Sequence, residues 1–167
     1  MTQTVLDRTL DVEELHALAI DLAARPETWR QHVRHDPGQR HFHELLSTEH
    51  AVAWLICWMP GHDTGFHDHD GAAGAVTVVD GSVREERIRW AHTPAARDFG
   101  AGEVFTFGPA DIHRVTHAGV RPAITIHAYS PVPRIMGAYV PGPDGVLQRH
   151  RVPEGEELRA DALFAVA

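Results

Sequence analysis

Residues 61–81 read GHDTGFHDHDGAAGAVTVVDG, and the spacing of histidine and glycine in them is the most informative feature of the sequence. His67 and His69 stand two residues apart near its centre. Because alternate residues of an extended strand point to the same side, a strand here presents both imidazoles to one interior point. A metal ion requires this arrangement from two adjacent ligands. A third donor must come from another part of the chain.

We expect the third donor in the segment Gly102–His113, which carries a glycine, the short strand Val104–Phe107 and a Gly-Pro turn before its histidine. The chain has 14 histidines, so a His-x-His pair alone decides nothing. The combination of the two segments is more specific. It favours His113 over His117 as the third ligand, and we expect His41, His43 and His62 to lie near the site or at the surface.

The body of the chain, from residue 40 to about residue 150, consists of short β-branched and apolar runs separated by turn residues. The runs are Val52–Trp58, Ala75–Val79, Val83–Trp90, Val104–Phe107 and Ala123–Ser130. Asp80-Gly81 between two of them is a hairpin signal. Many short strands at regular spacing predict a mainly β protein, either a barrel or a double-sheet jelly roll. We expect the strand with Glu85 and Arg87 to be mostly solvated.

The start of the chain is predicted to be helical. Asp11 and Glu14 have the spacing of a capping box, and apolar residues follow at intervals of three and four. Pro26 opens a second short helical segment. We therefore expect one or two helices before the first strand.

A chain of 167 residues is long enough for one sizeable core. We predict a single domain, 1–167, with a helical N-terminal segment (1–38), a β-barrel (39–152) and a C-terminal tail (153–167). The charged tail is expected to be peripheral. The sequence does not fix the oligomeric state, and a monomer or a small homo-oligomer fits it.

Composition excludes several functions. The formal net charge of -8 has the wrong sign for binding nucleic acid or an anionic membrane. The absence of lysine excludes a catalytic Schiff base. Cys57 is the only thiol, so no internal disulfide exists, and Asp7 and Arg8 interrupt any secretory apolar run. We expect a cytoplasmic protein with a small-molecule partner.

The spacing Gly-x5-His-x-His-x4-Gly-x6-Gly, from Gly61 to Gly81, resembles the first cupin motif with its usual Glu replaced by Gly74. Replacement of that carboxylate leaves three neutral histidines, a set that resembles the cysteine dioxygenase family of thiol dioxygenases. Three segments occur in the order found in that family: His-Asp-His at 67–69, His-Arg-Val at 113–115 and Thr-x-His-x-Tyr-Ser-Pro at 125–131.

This resemblance implies a cupin fold and a non-haem iron enzyme that oxidises L-cysteine with O2 to cysteine sulfinic acid. It implies that Fe(II) is held by three ligands, His67, His69 and His113. It also implies a catalytic relay made by Thr125, His127 and Tyr129. Alternation along a strand supports the relay independently, because residues 125, 127 and 129 share one face. Gly74 stands where animal members have the Cys that cross-links to the relay Tyr, so no such link is expected.

The residue that binds the substrate carboxylate is left open by the sequence. The family uses an Arg in a Tyr-x-Arg segment, and the nearest stretch here is Arg40-His41-Phe42-His43-Glu44. One alignment places Arg40 at that position and another places Glu44 there. The two predict opposite substrate charges, so 3-mercaptopropionate or an aminothiol remains an alternative to cysteine.

Two alternatives of another class also remain. A non-catalytic cupin would bind metal or a ligand as a sensor or storage module. Three histidines also suit Zn(II), which would make a metal-bound hydroxide and a hydrolase.

Overall fold

A computed structural model of the chain describes residues 7–88, 95–144, 146–153 and 156–160. Helix α1 (Val12–Ala23) begins at the predicted capping box, where the Asp11 carboxylate accepts a hydrogen bond from the Glu14 amide. Its apolar face is buried through Leu15, Leu18, Ala19 and Leu22. A short helix α2 (Pro26–Trp29) and a 3-10 turn (Arg30–His32) follow. The prediction of one or two N-terminal helices is confirmed.

Eleven strands are seen in the described residues. They are β1 (His41–Ser47), β2 (Val52–Trp58), β3 (Phe66–Asp68), β4 (Ala73–Asp80), β5 (Ser82–Arg87), β6 (Ala95–Gly100), β7 (Val104–Phe107), β8 (His113–Ala118), β9 (Ala123–Ser130), β10 (Ile135–Pro141) and β11 (Leu147–Pro153). One sheet has the order β1-β2-β9-β4-β7 and the other β11-β10-β3-β8-β5-β6. All of these pairings are antiparallel. The predicted double-sheet β fold is confirmed.

Two apolar clusters hold these layers together. The first lies between helix α1 and the outer face of the five-stranded sheet, where Leu15 and Leu18 join Leu55 and Ile126. The second lies between the two sheets and includes Val76, Val83, Phe99, Phe107 and Val115. The face of β9 opposite to Ile126 therefore points into the space between the two sheets.

Two sequence predictions were wrong. The strand β5 is not mostly solvated, since Val83 and Glu85 are buried, at 0% and 7% exposure. The segment after β11 is not peripheral over 156–160, because Leu158 is buried. Residues 89 and 90 of the predicted strand Val83–Trp90 lie outside the described residues, as do 1–6, 91–94, 145, 154–155 and 161–167 of the predicted single domain.

No helix within the described ranges is both long enough and apolar enough to cross a membrane.

Candidate metal centre and adjoining cavity

The structure brings together the three histidines that the sequence singles out. Possible ligand atoms of His67, His69 and His113 all lie within 4.8 Å of one another. His67 lies on β3 directly opposite His113 on β8, so sheet register joins the two segments. All three side chains are buried, with at most 4% exposure. Among the described residues, this is the single group of His, Cys, Asp or Glu arranged to hold a metal ion.

Hydrogen bonds leave a nitrogen lone pair available on two of these rings. His67 Nδ1 lies 3.0 Å from the Gly65 carbonyl, which can only accept, so the proton sits on Nδ1 and the lone pair on Nε2. His113 Nδ1 lies 3.0 Å from Oε1 of Glu85. Nε2 of His113 is buried and has no hydrogen-bond partner in the described part of the chain. A metal ion would satisfy this atom, so the residues fit such an ion.

His69 is held by ring contacts. Its imidazole stacks on Phe107, with centroids 4.5 Å apart and planes 20° apart. Its centroid lies 5.0 Å from that of Tyr129. Its buried Nδ1 has no partner among the described residues. Within the described part of the chain, packing rather than hydrogen bonding positions this ring.

Burial keeps these histidines neutral. It lowers the pKa of His67 to about 4 and holds the pKa values of His69 and His113 well below the usual range. A neutral imidazole carries the lone pair that a metal needs, so the unliganded cluster is already in its binding form at neutral pH.

Glu85 is a site residue that sequence reasoning missed. Its carboxylate touches His113 and receives a hydrogen bond of 2.6 Å from Nη2 of Arg87. Arg87 is fixed in turn by Asp111 and by the Thr106 carbonyl. Glu85 lies two residues after buried Val83 on the same strand, and this alternation is the one local signal that its side chain points inward. The charged residues beside Glu85 suggest a solvated strand instead.

Thr125, His127 and Tyr129 form a hydrogen-bonded line on β9, as the alternation predicts. Thr125 Oγ1 lies 2.8 Å from His127 Nε2, and His127 Nδ1 lies 2.9 Å from the Tyr129 hydroxyl. Trp58 Nε1 donates to Thr125 Oγ1 at 2.8 Å. Burial lowers the pKa of His127 to about 3 and raises that of Tyr129, so both are uncharged at neutral pH.

One cavity joins the histidine cluster to this line. Its wall includes His67, His113, His127 and Tyr129, and the rest is mostly apolar. The apolar part is made by Phe42, Val52, Trp54, Ile56, Trp58, Val115, Pro133, Ile135, Met136 and Leu158. A small molecule in this cavity would contact the histidines and the tyrosine hydroxyl at the same time.

The structure separates the two candidates for the substrate-binding residue. Arg40 is 6% exposed and lines the cavity, with its guanidinium 5.1 Å from the Trp58 ring centroid. Glu44 is exposed and is not among the described residues that line the cavity. Of the two, Arg40 is the one brought to the histidine cluster.

Solved structures similar to this chain include double-stranded β-helix and cupin domains. A double-stranded β-helix protein from Klebsiella pneumoniae superimposes with a TM-score of 0.54 and 18% identity, covering 72% of this chain and 91% of that one. An oxalate oxidase structure with bound glycolate gives a TM-score of 0.54 and 17% identity, covering 64% and 59%. Fold and histidine cluster together define a cupin with a three-histidine group that fits a metal ion.

The family follows from sequence comparison. The family model of cysteine dioxygenase type I matches residues 1–140, and the chain belongs to this family. It is 22% identical to human cysteine dioxygenase type 1 over 133 residues, which cover 73% of this chain. The zebrafish (Danio rerio) protein is 22% identical over 135 residues, 74% of this chain and 67% of that protein. The chain spans 66% of the length of the human relative.

Proposed function

We propose that the protein is a non-haem iron thiol dioxygenase that converts a small thiol, with L-cysteine as the leading candidate, to its sulfinic acid with O2. One observation carries the proposal: three neutral buried histidines converge, and two of them, His67 and His113, line the same cavity as His127 and Tyr129 of the Thr-His-Tyr line. Membership of the cysteine dioxygenase type I family supports the same chemistry. A reducing cytoplasm, where free thiols persist, is the compartment that suits it.

His67, His69 and His113 are the residues that would hold Fe(II). When bound, the ion would supply a dipositive charge that favours thiolate over thiol, together with the redox chemistry that activates O2. The overall reaction balances without a coenzyme. Sulfur in RSH loses four electrons in becoming RSO2H, and O2 gains four while both its atoms enter the product.

Tyr129 is proposed to donate a hydrogen bond to the oxidant or substrate in the cavity. The indole N–H of Trp58 can only donate, so the Thr125 hydroxyl oxygen accepts from it. The Thr125 hydroxyl can then donate its own proton to Nε2 of His127, which satisfies the short contact between them. Nδ1 of His127 then carries the proton and donates to the tyrosine oxygen. The Tyr129 proton is left free to face the cavity, and its raised pKa keeps it in place at neutral pH.

Arg40 is proposed to receive the substrate carboxylate. Its guanidinium lies in the wall of the cavity that holds His67 and Tyr129. Much of the surrounding wall is apolar. A charged hydrogen bond in such surroundings is stronger than one in bulk water.

An oxygen electrode provides the test. Iron-loaded protein should consume O2 with L-cysteine, and mass spectrometry should show a product 32 mass units heavier, the nominal mass of the two added oxygen atoms. 3-Mercaptopropionate and cysteamine complete the panel, because the first lacks the amine and the second lacks the carboxylate. His113→Ala, which removes a ligand, is the matched control. Metal retention without O2 uptake for any thiol would instead indicate a binding module, and zinc in protein purified without added metal would favour a hydrolase.

A further inference from the structure

The segment after β11 reaches back to the cavity and contacts Arg40. The backbone N–H of Arg40 donates to Oε1 of Glu157 at 2.9 Å, and Arg40 Nε lies 3.4 Å from the same oxygen. Arg40 Nη2 donates to the Leu158 carbonyl. One short segment therefore engages both the main chain and the side chain of Arg40.

These contacts leave one part of the guanidinium unused. Nε and Nη2 form one edge of the fork and are directed to Glu157 and Leu158. Nη1 is buried and has no hydrogen-bond partner among the described residues. The Trp58 ring covers one face of the group. Because an unsatisfied buried donor is costly, Nη1 is a position where an acceptor from a bound molecule would be favourable.

Glu157 is itself held in place. Its second oxygen receives a hydrogen bond of 2.7 Å from Nε of Arg159, and Arg159 Nη2 donates to the Gly38 carbonyl. The side chain of Glu157 is 18% exposed. The negative charge of Glu157 is shared between Arg40 and Arg159. Arg40 therefore keeps a positive potential that can attract an anion.

We infer that Glu157 is a positioning residue that fixes one edge of the Arg40 guanidinium so that Nη1 is presented to the carboxylate of the thiol substrate. The inference rests on the proposed function, because it takes Arg40 as the residue that meets this carboxylate. It assigns to the C-terminal segment a part in substrate recognition.

The experiment compares two ligands that differ only in the carboxylate, L-cysteine and cysteamine. Dissociation constants are measured anaerobically by calorimetry on iron-loaded protein, with KM and kcat measured in air. Glu157→Ala should raise the Kd of L-cysteine about tenfold, the loss of roughly one charged hydrogen bond, and leave that of cysteamine within about twofold. Glu157→Gln should fall between, because its amide oxygen still accepts from the Arg40 backbone.

Glu103→Ala is the matched control. It removes a Glu–Arg pair of 2.7 Å with Arg97 away from the cavity, and it should leave both Kd values unchanged. The melting temperature and metal content check that each variant is folded. If Glu157→Ala does not fold, Glu157→Gln carries the comparison, with an expected rise of about threefold for L-cysteine alone.

Three results would overturn the inference: equal weakening of both ligands, no change for L-cysteine, or tighter binding of L-cysteine, which would make Glu157 a competitor of the substrate. If wild-type protein binds neither thiol and consumes no O2, the proposed function fails and this inference fails with it. Normal wild-type binding with no selective effect at Glu157 refutes the inference alone.

Discussion

Oε1 of Glu85 lies 3.0 Å from Nδ1 of His113, so a buried carboxylate orients the ring whose Nε2 has no hydrogen-bond partner among the described residues. The cupin motif usually has a carboxylate at the position of Gly74. Here the carboxylate of Glu85 takes its place, and it contacts His113 rather than lying among the three histidines. A carboxylate in this position makes the imidazole a stronger donor and fixes its tautomer.

Glu85→Gln should weaken metal binding about tenfold, because the amide retains a hydrogen bond to His113 but not the charge. Competition against a chelator measures this Kd. Glu86→Gln, on the next residue of the same strand, is the control, since Glu86 pairs with Arg114 and does not touch the cluster. Equal metal affinities in the two variants would show that Glu85 does not support metal binding.

Tyr129→Phe should lower kcat about 100-fold, because the hydroxyl that ends the Thr125–His127 line is lost while the ring is kept. The lost hydrogen bond should cost about 1 kcal/mol, or roughly 3 °C in melting temperature. Oxygen uptake and thermal unfolding measure the two effects. An unchanged kcat would assign Tyr129 a purely structural part and favour the non-catalytic alternative.

The metal-free protein should lose stability as the pH falls below about 6.5. In the unfolded chain a histidine has a pKa near 6.5, whereas burial lowers the folded pKa of His67 to about 4 and that of His127 to about 3. Between these values the unfolded state binds more protons, so the free energy of unfolding falls with falling pH, by up to about 1.4 kcal/mol per pH unit for each such histidine.

Urea unfolding of metal-free protein between pH 7.5 and 5 measures this slope, and His127→Asn should make it shallower. Saturating metal should raise stability across the range, by about 2.7 kcal/mol at 100 times its Kd. A stability that is flat over this pH range would contradict the buried neutral state of the cluster.

Much of the site could be predicted because it depends on local geometry. Alternation placed His67 beside His69 and aligned Thr125 with His127 and Tyr129, and these groupings need no knowledge of the tertiary fold. The strand bounds of β2, β7 and β9 were predicted to the residue. An apolar run bounded by turn residues is enough to predict such a strand, with little information from the rest of the chain.

The parts that were missed depend on contacts between distant residues. Glu85 meets His113 because β5 pairs with β8, and nothing near Glu85 in the sequence reports that pairing. Arg40 and Glu157 are 117 positions apart, and the charged segment around Glu157 is typical of a solvated tail. Tertiary packing, rather than local propensity, selects the inward charges in both cases.

Gly74→Ala should destabilise the protein by about 1–3 kcal/mol, because a Cβ at this position would lie 2.1 Å from Cζ of Phe107. The Phe107 ring has little freedom to move, since it is 2% exposed and its centroid lies 4.5 Å from those of His69 and His113. Phe107→Leu should relieve part of the clash. A double-mutant cycle by urea unfolding measures the coupling, and additive effects would show that the ring does not oppose the new methyl group.

That clash also bears on how lineages of this fold could diverge. Gly74 lies opposite Tyr129 in the sheet. Any larger side chain here, cysteine included, would meet the Phe107 ring, so it fits only together with a smaller residue at position 107. Positions 74 and 107 are therefore expected to change together as sequences of this fold diverge.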